Sequence, residues 1–266
     1  MQAGSVSGDA RPPHAVATLS AAADRMQMLD AGLRPDDGVR YFNGLYREVT
    51  HEVVRRLEAG EFEDRRFLEH LAVLFSNAYF AAFDEFGRGG QGSPAWAPLF
   101  AARLHRRVAP IQFALAGMNA HINYDLPLGV RDTCRALDIA PRDRSAQHRD
   151  YLRLNALLGE LQERVKPALT AGLLGAVDRA FGRLDDVVAS FSVARARDAA
   201  WVHAQTLHSL DDDDLSASYL GALERMVGLA GHGLVQPTLL GLGRWSSAQQ
   251  WLPRVARRVL GAPRAR

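Results

Sequence analysis

His121 and Asp125 stand one helical turn apart inside an otherwise apolar stretch, IQFALAGMNAHINYDLP, Ile111 to Pro127. On a helix this spacing sets an imidazole and a carboxylate side by side. The pair can share one divalent ion, or the carboxylate can hydrogen-bond the imidazole and tune its basicity. A third role is structural, each group satisfying the other in a buried setting. Gln112, Asn119 and Asn123 fall on the opposite side of the same helix. Amides in that position bridge packed helices.

A second candidate lies in SVARARDAAWVHAQTLH, where His203 follows Ala200, Ala199, Ala196 and Ser192. So small a face lets the ring pack against a neighbour or point into a cavity. The expectation is that His203 joins His121 and Asp125 as third metal ligand, for zinc or iron, or serves as general base. Arg195, spaced to pair with Asp198, or Arg107 would orient an anionic substrate. Tyr124, Trp201 and Phe113 would line an apolar cavity, with Asn123 on the substrate side. The run Asp211 to Asp214 opens a helix, where carboxylates complement the dipole. Asp185 and Asp186 do the same. Cys134 reads as a small core residue.

The elements that must position these groups are helical throughout. Phe42, Leu45, Val49, Val53 and Leu57 recur at spacings of three and four, and Gly60 ends their helix. Asp36 or Asp37 caps its start. Phe67, Leu71, Leu74, Phe75 and Tyr79 mark another long helix. Pro110 suits the first turn of the polar helix, and Pro127 should end it or start the next. Ala114, Ala116, Gly117 and Ala120 allow close backbone approach, which makes this helix central. The segment from Asp185 to Leu210 reads as one long helix. No alternating strand pattern is present. The expected fold is all-α: one multi-helix bundle over residues 14–236 around a central buried polar helix. A disordered extension (1–13) precedes it and a basic tail (237–266) follows.

Composition narrows the function classes. With 47% hydrophobic and 23% charged residues the chain reads as an ordinary globular protein. A formal net charge of +2 gives no field suited to nucleic acid or a membrane surface. Lys166 is the one lysine, so the basic groups are nearly all arginine. The single cysteine excludes an internal disulfide framework and any multi-cysteine zinc site. No apolar run reaches the roughly 20 residues of a membrane span, and the N-terminus lacks the pattern of a signal peptide. A cytoplasmic location is expected.

The stretches YFNGLYREVT, GEFEDRRFLEHLAVLFSNAYF, RRVAPIQFALAGMNAHINYDLP, HRDYLRLNALL and ARARDAAWVHAQTL together resemble an actinobacterial family catalogued as domain of unknown function 5995. That resemblance covers about residue 38 to about residue 235 and implies no activity. More distantly, His121, Asp125 and Pro127 are similar to the His-x-x-x-Asp pair, with a proline shortly after, on a central helix of the zinc-dependent phospholipase C and P1 nuclease group. This likeness implies metal binding at His121 and Asp125. The group's N-terminal Trp ligand is missing, and LGV stands where its histidine follows the proline. A reduced metal site is implied, not trinuclear zinc.

Three functions fit the pattern. One is a metal-assisted, hydrolase-like enzyme using His121, Asp125 and His203. Another is a metal-free helical cyclase or lyase with acid–base chemistry in an apolar cavity. The last is a non-catalytic protein that binds a small molecule or a partner.

Overall fold

The computed structural model describes residues 15–90, 92–156 and 192–237, and among them all regular structure is helical. The elements are α1 (Leu19–Gly32), α2 (Val39–Glu58), α3 (Arg65–Gly87), α4 (Ala97–Ala102) and α5 (Pro110–Ala120). A π-helical turn (His121–Asp125) leads into α6 (Leu126–Ala136). There follow α7 (146–156), α8 (Val193–Ser209) and α9 (Asp213–Leu234). The expected extension, most of the basic tail, and Asp185 and Asp186 lie outside the described residues. None of the described helices is long and apolar enough to cross a membrane.

Local chemistry sets the ends. Asp37 Oδ1 accepts the Val39 N–H at 3.0 Å, holding the first turn of α2. At the other end Gly60 takes φ +71°, a conformation that favours glycine. Its N–H bonds the Leu57 carbonyl, and the Glu61 N–H reaches back to the Arg56 carbonyl, both at 3.2 Å. This is a Schellman closure. The Asp212 side chain accepts the Leu215 N–H at 2.8 Å, so the acidic run caps α9 as its position predicts. Ser192 caps α8 in the same way through Arg195 N–H. A helix start at Val193 therefore replaces the single long helix expected from Asp185.

The expected polar helix is central. Nine residues of α5 are buried, and it packs against α2, α4 and α9. The π-turn that continues it meets α3, α8 and α9. Close approach needs small side chains here, as expected. A Cβ on Gly117 would stand 2.3 Å from Phe42 Cγ, and one on Gly228 would stand 2.5 Å from the Pro94 carbonyl oxygen. Fully buried Phe67, Leu68, Tyr79, Trp96 and Leu126 form the surrounding core. Each such side chain contributes about 1.5–3 kcal/mol of burial. Cys134 is buried among them as a free thiol, and burial pushes its pKa up to about 11.

Pro127 stands in the first turn of α6, the second of the two expected placements. It lacks the N–H that would bond the Asn123 carbonyl, and its ring crowds that carbonyl. The chain accommodates this by widening one turn: the Leu126 N–H bonds the His121 carbonyl, five residues back. The π-turn so formed contains both His121 and Asp125. Turns of this kind recur at functional sites.

Candidate functional site

Within the π-turn His121 Nδ1 lies 2.9 Å from Asp125 Oδ2. Both side chains are almost wholly buried, at 3% and 5% exposure. Trp96 Nε1 donates to Asp125 Oδ2 at 3.1 Å and more weakly to Oδ1 at 3.4 Å. The carboxyl is thus held from two sides. Phe75 and Tyr46 pack on the imidazole, leaving its Nε2 with no hydrogen-bond partner among the described residues.

Burial decides the charge state of the pair. It pushes the Asp125 carboxyl well above the usual carboxylate range, against the Trp96 bond, with the negative charge of Glu224 adding to the rise. Burial also holds His121 well below its usual range, and the Arg197 guanidinium lowers it further. Both shifts favour the neutral forms. In the neutral pair, a carboxyl Oδ2–H donated to Nδ1 leaves the ring proton on Nε2, a donor with no acceptor among the described residues.

His121 lines a cavity of about 140 Å³. The walls are apolar, from α2 (Leu45, Val49, Val53), α3 (Leu68, Leu71, Ala72) and α6 (Leu126), with Phe42 and Phe75. Polarity enters through His121, Thr50, Tyr46 and Arg197. The Tyr46 hydroxyl is engaged by Ser76 Oγ at 2.9 Å, and Thr50 Oγ1 donates to the Tyr46 carbonyl at 2.9 Å. Arg197 is 3% exposed. Its Nε donates to Asn155 Oδ1, its guanidinium carbon sits 4.6 Å from the Tyr151 ring centre, and Nη2 has no partner among the described residues. Burial lowers its pKa from the ordinary guanidinium value.

Other residues predicted from the sequence are not brought to this cavity. His203 bonds Tyr219 through Nδ1 at 2.6 Å, between α8 and α9, and does not line the cavity. On α8 it faces away from Arg197, because their separation is not a whole number of turns. Among the described residues no group of three or more His, Cys, Asp or Glu side chains is placed to hold a metal. His121, Asp125 and His203 thus do not assemble the three-ligand zinc or iron set, and Asp125 stands behind His121 rather than in the wall. Arg195 and Arg107 are exposed. Asp198, expected to pair with Arg195, instead accepts from Asn155 Nδ2 at 3.2 Å.

Trp201 is buried but one turn beyond Arg197, donating to Asp143 Oδ1 at 3.1 Å and packing on His148 and Tyr151. Tyr124 bonds Glu224 and is pushed above its usual range mainly by burial. Phe113 stacks on Tyr41, centroids 6.3 Å apart. Neither Tyr124 nor Phe113 reaches the cavity.

The amide face is a fastening. Gln112 Nε2 donates to the carbonyls of Leu234 and Gln236, each at 2.8 Å, while its Oε1 accepts the Ala109 N–H at 2.8 Å. Asn119 Nδ2 donates to the Val227 carbonyl at 2.9 Å, and Asn123 Nδ2 supports Asn119 Oδ1 at 3.1 Å. The amides tie α5 and the π-turn to α9, and Asn123 accordingly serves packing.

Arg197 was missed by the sequence reading, although a signal existed. Val193, Arg197, Ala200, Trp201 and Ala204 form one buried stripe on α8, and an arginine within an apolar stripe is a charge sent inside.

No curated protein and no solved structure matches the chain. A family model does match residues 19–237. This span takes in the π-turn, the cavity walls and Arg197, and the chain belongs to that family of unknown function, DUF5995.

Proposed function

We propose that this chain takes a small, largely apolar molecule into the cavity and protonates it from His121 Nε2. As Nε2–H is given up, Asp125 passes its Oδ2 proton to Nδ1. The imidazole ends neutral and the carboxyl ends as a carboxylate. Trp96 Nε1–H already donates to that carboxyl, so it stabilises the charge as it forms. Acid-catalysed isomerisation, elimination or cyclisation of an apolar substrate fits such a dry chamber. The observation that carries the reading is Nε2 itself, a buried ring nitrogen with no partner among the described residues, on a histidine that lines an apolar cavity. Such an atom costs about 1–3 kcal/mol unless something fills its bond.

The test uses acetophenone, a neutral probe with one apolar ring and one acceptor, followed by nuclear magnetic resonance of the histidine ring. The expected result is saturable binding that shifts the His121 Nε2–H signal, weakened in His121→Phe. Absence of binding by both acetophenone and toluene would overturn the reading.

A further inference from the structure

Arg197 raises a separate question, because a guanidinium is rarely buried without an anion. Among the described residues its Nε meets the neutral Asn155 amide, its face meets the Tyr151 ring, and Nη2 meets nothing. The neighbouring carboxylate, Asp198, bonds Asn155 rather than the guanidinium, although its charge acts on Arg197. Removing an ion from water costs several kcal/mol, recovered only by a well-placed counter-charge. Among the described residues the cavity wall holds no carboxylate to supply one.

We propose that the ligand of this cavity is a small apolar monocarboxylate whose head group is held by Arg197 Nη2. This rests on the reading that the cavity takes a ligand. Three features narrow the chemistry. The cavity of about 140 Å³ is close to the size of one that accepts a single benzene ring, so the body is one ring or a short chain. Among the described residues the other polar wall groups, Thr50 and Tyr46, are engaged by the Tyr46 carbonyl and Ser76, so the ligand carries no second polar group at the far end. One guanidinium faces the space beside a neutral imidazole, so a single negative charge balances it. A phosphate dianion would leave one charge buried and uncompensated. A guanidinium N–H and an imidazole N–H are both donors, and a carboxylate offers acceptors alone.

The experiment measures binding of benzoate, toluene and benzylamine to the full chain by calorimetry, in wild type and in Arg197→Met. Benzoate should bind wild type best and benzylamine worst. Arg197→Met should weaken benzoate about tenfold or more while changing toluene less than about threefold. Equal loss for benzoate and toluene, or a wild type that prefers toluene or benzylamine to benzoate, would overturn the carboxylate assignment and leave the cavity reading standing. Failure of all three to bind wild type would remove both. The ranking on wild type decides the matter even if Arg197→Met does not fold.

Discussion

The ring of Phe75 lies flat on the imidazole of His121, with centroids 3.4 Å apart and planes 7° from parallel. Tyr46 meets the same ring edge-on at 4.5 Å, and Asp125 fixes Nδ1. Packing therefore aims Nε2 without a hydrogen bond to hold it. A donor fixed by its neighbours loses no orientational freedom when an acceptor arrives, which is what preorganisation requires.

The amide fastening should be measurable apart from the site. Asn119→Ala removes the bond to the Val227 carbonyl and leaves buried acceptors underused, so it should cost about 1–3 kcal/mol in urea unfolding. Asn123→Ala, at a half-buried position whose amide only supports Asn119, should cost less. A larger loss for Asn123→Ala would show that the fastening is placed differently.

Stability against pH should show the state of Asp125. Its folded pKa lies above the ordinary 3.8, so above that value the folded chain keeps a proton the unfolded chain has released. Stability then falls as pH rises toward the folded pKa. His121 is depressed from its ordinary 6.5 and acts in the opposite sense. Below 6.5 the unfolded chain binds a proton the folded one refuses, so stability falls as pH drops. Between the two ordinary values the slopes oppose each other. Asp125→Asn keeps the His121 effect and lacks the Asp125 one, so wild type should lose stability relative to it as pH rises above 3.8. Parallel melting profiles of the two proteins across that range would show a charged Asp125.

Filling the cavity should trade binding for stability. Ala72 borders it from α3, and Ala72→Leu adds three carbons that enter apolar space without displacing a side chain. At about 0.8 kcal/mol for each buried methylene, a gain on the order of 1–2 kcal/mol is expected, together with loss of toluene binding. A destabilised variant, or one that still binds toluene, would mean the space is not open to a ligand.

Arg197→Met should not destabilise the fold. The charge-assisted bond to Asn155 is worth about 1.5–3 kcal/mol, and the contact with Tyr151 up to about 2 kcal/mol. Relief from burying an unpaired cation offsets both. The melting temperature should stay level or rise. A marked fall would assign Arg197 to architecture.

Much of this molecule was legible before its structure. Helical stripes such as Phe42 to Leu57 and Phe67 to Tyr79 announce buried faces because apolar spacing follows the helix period directly. The His121–Asp125 contact and the separate amide face were legible for the same reason, each being set within a few residues of chain. The ring of partners was not. His203 sits on a face of small residues, as expected, but whether such a face meets the cavity or Tyr219 depends on how α8 docks. Arg197 was the weaker signal: in a chain whose basic residues are nearly all arginine, only its place in the apolar stripe of α8 marks it. Pro127 signals a break, but the widened turn that absorbs it depends on the neighbouring packing.

The π-turn has a consequence for how this chain can vary in length. It accommodates one more residue than an α-turn would, and this sets the phase at which the buried α6 residues Val130, Thr133 and Cys134 follow α5. Deleting any single residue between His121 and Asp125 would turn α6 by about 100° and swing that stripe away from α8. The deletion would also lose the contact between imidazole and carboxyl. Insertions and deletions are therefore barred here. Across descendants of this chain, the number of residues between Pro110 and Pro127 is as much a part of the site as the identity of His121.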